Sequence, residues 1–164
     1  MTVTNENLPE ELGDASNYAL ITRNNDVTRI DADITSGGGV AAANGGSVVF
    51  NSGSVHVDSA STSGRYIFYT EGEGSKLTIN EGNFSWSTDK NQKRAYIYAG
   101  EGTTVYVNGG TFGKASTRSG YTDGILGTGT VVIKGGTFGF NPTKWVAEGY
   151  QAVRSGSTWT VSAK

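Results

Sequence analysis

The chain has 164 residues, with 15 acidic against 13 basic side chains, a net charge of −2 and no cysteine. That balance gives no whole-chain attraction to nucleic acid or acidic membranes, and the lack of cysteine excludes disulfides and thiolate metal sites. Twenty-five glycines, two prolines and 10% aromatic residues favour short strands and tight turns over disorder, within one domain.

In chain order, residues 1–17, "MTVTNENLPEELGDASN", read as an acidic arm or one-turn helical cap ahead of Tyr18. They have neither the basic nor the apolar region of a signal peptide, so the expectation is synthesis and folding in the cytoplasm. No apolar run in the chain is long enough to span a membrane.

Residues 18–140 repeat one phrase. "GSVVFNSGSV", "SKLTINEGNF", "TTVYVNGGTFG" and "GTVVIKGGTF" align on Phe50, Ile79, Val107 and Ile133, spaced 29, 28 and 26 residues apart. A degenerate earlier copy, "DVTRIDADIT", puts Ile30 at the same place. Before each copy runs a second alternating stretch, such as "YIFYT" or "AYIYA". Two-residue alternation filled with β-branched residues predicts strands, and a repeat of this period predicts stacked units. The fold expected is all-β: a short right-handed parallel β-helix, or solenoid, of about five coils. An antiparallel β-sandwich is the alternative, disfavoured because its strands do not usually repeat one residue-level motif. In the solenoid, Phe84, Phe112 and Phe138 form one interior ladder begun by Val55, and Leu77, Val105 and Val131 form another. Gly53, Gly82, Gly110 and Gly136 mark a shared bend.

Residues 141–164 read as the closing cap. Asn141 and Pro142 would start a short helix that Gly149 ends. A hairpin follows around Ser155-Gly156, and Trp145, Tyr150 and Trp159 would cover the last coil.

The phrase "IKGGTFGFNPTKWVAEGYQAVRSGSTWTV", with the coils before it, resembles Gly-rich right-handed β-helix segments of phage virion surface proteins and bacterial surface proteins. The resemblance covers roughly Gly39–Val161 and implies the pectin-lyase-like architecture. That architecture hosts lyases, hydrolases, adhesins and tailspikes, so fold alone does not give function.

Three insertions leave one position of the repeat: His56–Arg65, Ser85–Arg94 and Gly113–Asp123. They carry Arg65, Lys90, Lys93, Arg94, Lys114 and Arg118 against Asp58, Asp89 and Asp123, which leaves the remainder of the chain acidic. One face would therefore be basic and loop-bearing, the kind of face that binds; solvated loops are the plainer account. Tyr66, Tyr69, Tyr96 and Tyr98 sit on strands, and those that point outward offer contact area for a sugar or a protein. The alternative is that they fill the interior.

The remaining chemistry is thinner. Glu73 and Glu101 align in adjacent coils and would repel or share a cation. Glu71, Glu73, Glu81 and Glu101 are the carboxylates a glycosidase or lyase would need in pairs, but each lies in a Gly-rich turn. His56 with Asp58 and Ser59 or Ser61 suggests a triad only within one loop, where a solvated histidine is the better account. "NFS" at Asn83 matches a glycosylation sequon but falls in an expected core strand.

No catalytic, cofactor or metal residues are assigned. The expectation is a non-catalytic structural or attachment protein on a virion surface, a capsid decoration or head/tail fibre subunit assembled in the host cytoplasm. Its partner would be a capsid or tail protein of the same particle, with a host surface glycan and a homotrimer as further options by analogy. The alternatives are a glycan-binding bacterial cell-surface adhesin module and, third, a polysaccharide lyase or glycosidase.

Overall fold

The structure is a computed structural model that describes residues 18–58, 65–86 and 93–164. The proposed amino-terminal cap, residues 1–17, lies outside the described residues. Within them the chain winds as a parallel β-solenoid with three faces.

The first face stacks β1 (Leu20–Thr22), β3 (Val40–Ala43), β5 (Arg65–Glu71), β8 (Arg94–Ala99) and β11 (Ile125–Gly127), all parallel. The second and third faces share two long strands, β2 (Val27–Ser36) and β4 (Ser47–Val57), which run around the corner between them. Residues 47–50 of β4 pair with β6 (Lys76–Ile79), while residues 54–57 pair with β7 (Asn83–Trp86). Below them β9 (Thr104–Val107) and β12 (Thr130–Ile133) continue the second face. The third face continues through β10 (Thr111–Lys114) and β13 (Gly136–Gly139).

The repeat stacks residue on residue as its alignment predicts. Ile30, Phe50, Ile79, Val107 and Ile133 are consecutive Cα partners, and all are buried. So are Ile34, Val55, Phe84, Phe112 and Phe138 on the third face. Adjacent phenylalanine rings stand 4.8 Å apart, the strand-to-strand spacing, and the Phe112 and Phe138 planes are nearly parallel at 4°. Each of these rings is removed from water, and the stacked pairs add to the cohesion of the coils.

The bend between the second and third faces requires glycine. Gly53, Gly82, Gly110 and Gly136 have φ of 108°, 137°, 102° and 110°, which side chains rarely adopt. A methyl group on Gly82 would also lie 2.8 Å from the Phe50 ring and 2.9 Å from the Gly53 carbonyl oxygen.

The cap follows the expectation in outline and differs in detail. The helix is a single 3₁₀ turn, Thr143–Trp145, because Val146 is already extended. Asn141 Oδ1 accepts the Thr143 N–H at 3.0 Å. Gly149 is left-handed (φ 80°), but it serves the turn in which the Tyr150 N–H donates to the Ala147 carbonyl, not the helix end. The hairpin is present: β14 (Tyr150–Ser155) and β15 (Thr158–Ala163) are antiparallel, turning at Gly156-Ser157. β15 then pairs antiparallel with β13 and covers that edge of the sheet, setting Trp159 opposite Phe138. Trp145, Tyr150 and Trp159 pack on the buried core.

Candidate functional site: an insertion corner and a tyrosine face

Two corners flank the first face. Strands enter it from the third face through the insertions and leave it through tight turns to the second face. The insertions follow β4, β7 and β10 and precede β5, β8 and β11, so the strand ends that flank them lie at one corner, while residues 59–64 and 87–92 lie outside the described residues. Lys93, Lys114 and Arg118 are exposed there. Lys90 and the side chain of Arg65 lie outside the described residues.

Arg94 departs from the expectation of an exposed basic residue. Its side chain is buried, 7% exposed, with the guanidinium 5.4 Å from the centre of the Trp86 ring. Arginine is weakly hydrated and stacks on aromatic faces, so the corner covers it and uses it as a packing residue.

The four tyrosines separate into three and one. Strict alternation fails in β5 and β8, where Ile67 with Phe68, and Tyr96 with Ile97, both enter the core in succession. Tyr96 is therefore interior, 3% exposed, donating its hydroxyl to the Lys114 carbonyl at 3.2 Å and stacking on Phe140 at 5.7 Å. Burial pushes its phenol up to about 12, partly opposed by the Arg94 charge.

Tyr66, Tyr69 and Tyr98 lie outside, half-buried against one another. Tyr69 stacks on Tyr98 at 5.0 Å and 14°, while Tyr66 meets both at 5.7 and 5.0 Å. Two rings that the sequence reading did not single out complete the patch. Tyr18 packs on Tyr69 at 5.2 Å, and Tyr121 hydrogen-bonds Tyr66. The signal for them was spatial only, since Tyr18 lies two coils before Tyr69 and Tyr121 lies inside an insertion. Desolvation within the cluster raises the Tyr66 phenol to about 12. The same cause, with a 2.7 Å hydrogen bond donated to Glu71 Oε2, raises Tyr69 further.

At the opposite end of these strands, the turns carrying Glu73 and Glu101 do stack: the Gly74 N–H donates to the Gly102 carbonyl at 3.1 Å. Both glutamates are exposed. Among the described residues, no three His, Asp or Glu side chains are gathered as a metal site requires.

His56 is not in a loop. It belongs to β4, half-buried, with Nδ1 2.8 Å from Ser85 Oγ on the neighbouring strand. Asn83, expected in a core strand, has an exposed side chain because Phe84 takes the inward position.

The glycine bend carries a groove of about 620 Å³, bordered by Asn80, Glu81, Asn83, Thr111 and Thr137. Beside it runs an amide ladder: Asn108 donates to Asn80 at 2.9 Å, Asn80 to Asn51 at 3.1 Å, and Asn51 to Asp31 at 3.2 Å.

No protein family, curated protein or solved structure matches this chain.

Proposed function

We propose that this chain is a non-catalytic attachment and display protein of a virion surface, a short β-solenoid of the pectin-lyase-like kind. It would be assembled in the host cytoplasm onto a capsid or tail protein of the same particle. The observation that carries this reading is the common corner: three successive coils release insertions at one edge of a hydrogen-bonded stack, with Lys93, Lys114 and Arg118 exposed beside them. A stiff scaffold that repeats loops along one edge holds a broad contact surface at low ordering cost. Its positive charge suits an acidic protein or an anionic glycan.

A second reading, a glycan-binding module of a bacterial cell-surface adhesin, is favoured by the polar groove along the glycine bend. Its amide and hydroxyl side chains suit a hydroxyl-rich ligand.

The test mixes the purified chain with undecorated capsids and sediments the particles. Stoichiometric co-sedimentation, lost in the Lys114→Glu/Arg118→Glu variant, is the expected result. A chain that stays in the supernatant but is retained on immobilised glycans establishes the second reading. Failure of both removes the attachment proposal.

A further inference from the structure

The first face carries a feature that the insertions do not explain. Its strands are in register from coil to coil, and Ile21, Tyr69, Tyr98 and Leu126 stand half-buried on the outside, with the fully covered Ala41 between Ile21 and Tyr69. Tyr66, Tyr69 and Tyr98 form an aromatic strip there, flanked by Ile21 and Leu126. Tyrosine-rich strips on flat sheets are typical of the centres of protein interfaces.

The charges at the two ends of the strands decide the partner. At the turn end, Asp26, Glu71, Glu73 and Glu101 outnumber Arg23 and Lys76. At the insertion end, the exposed Lys93, Lys114 and Arg118 outnumber Asp58 and Asp123 among the described residues. The face therefore has an acidic edge and a basic edge, separated by tyrosines. Arg118 belongs to that edge by position, because its carbonyl accepts the N–H of Tyr121, whose hydroxyl meets Tyr66.

We infer that the partner of this face is a second copy of the chain. A two-fold axis parallel to the stacking direction lays one first face on the other with strand directions reversed. The acidic edge of each copy then meets the basic edge of its partner, and the tyrosine strips meet in the middle. A two-fold axis along the strands would instead set acid on acid. The contact is isologous and closes at two copies, and like-charge repulsion disfavours the wrong orientation.

Sedimentation velocity on the full chain across a concentration series tests this. A dimer is expected, weakened by added salt as edge charges are screened. Tyr98→Lys, at the centre of the strip, should raise the dissociation constant about thirtyfold or more, with an unchanged far-ultraviolet circular dichroism spectrum showing that the coil stack persists. Glu73→Lys/Glu101→Lys and Lys93→Glu/Arg118→Glu should each lose the homodimer, whereas the two variants mixed should form a heterodimer. A chain that is monomeric at every concentration, a trimer, or a dimer indifferent to Tyr98→Lys overturns the inference.

Discussion

The phenylalanine ladder inside the third face and the tyrosine strip outside the first face are built by the same rule. Both repeat an aromatic residue coil after coil, and both hold neighbouring rings about one strand spacing apart, 4.8 Å for Phe84–Phe112 and 5.0 Å for Tyr69–Tyr98. They differ in what surrounds the rings. The phenylalanines are walled on all sides and at most 1% exposed, whereas the tyrosines are half-buried and covered in part by each other. Parallel stacking thus sets ring geometry on either side of the sheet, and burial decides whether the stack contributes cohesion or contact.

Truncating each ladder at its centre breaks the comparison most sharply. Phe112→Ala removes a ring flanked by Phe84, Tyr96 and Phe138 and should cost about 3–5 kcal/mol, read from urea denaturation. Gly82→Ala should cost about 2–3 kcal/mol by the same measurement, because the new methyl meets the Phe50 ring at a φ of 137°. Equal stability of that variant and the parent would mean that the bend is not a determinant of the interior ladder. On the outer strip, Tyr98→Ala should cost the isolated chain only about 1 kcal/mol, the worth of its ring pairs, when unfolding is measured at concentrations below dimer formation.

The smallest effect is electrostatic. Desolvation raises Tyr66 from 10.0 to about 12 in the folded chain, so the folded state holds this phenol's proton more tightly than the unfolded state does. The resulting stability is complete below pH 10 and is lost as pH climbs from there through about 12. Ultraviolet difference titration of the parent against Tyr66→Phe should show the missing tyrosinate appearing near the upper end of that window, around pH 12, and not near pH 10. A tyrosinate signal from Tyr66 near pH 10 would mean the patch is open to water.

The interior ladders of the second and third faces were legible in the sequence to the residue, because a solenoid forces each coil to place the same side chain at the same inward point. One alignment on Phe50, Ile79, Val107 and Ile133 carried both the register and the glycine bend. The outer surface was less legible. Which tyrosines face out depends on where β5 and β8 put two residues in succession into the core, and a two-residue alternation does not predict that. Arg94 was misjudged for a related reason: charge suggests exposure, but the Trp86 ring that covers it comes from the preceding coil and is far from a sequence pattern. His56 looked like a loop residue because β4 runs through the corner as one long strand. The asparagines stood aligned in plain view at 51, 80 and 108, yet their mutual hydrogen bonds emerge only once the coils are stacked.

That amide ladder gives the stack a sense of direction. Each asparagine donates toward the amino-terminal side, the series ends on Asp31, which can only accept, and Lys134, which can only donate, holds the next register position at the far side. A further coil bearing asparagine would extend this series by one hydrogen-bonded step. The asparagine row is in this respect a ruler: Asp31 closes one end, the middle is countable, and each added unit would lengthen it by one graduation of about 4.8 Å.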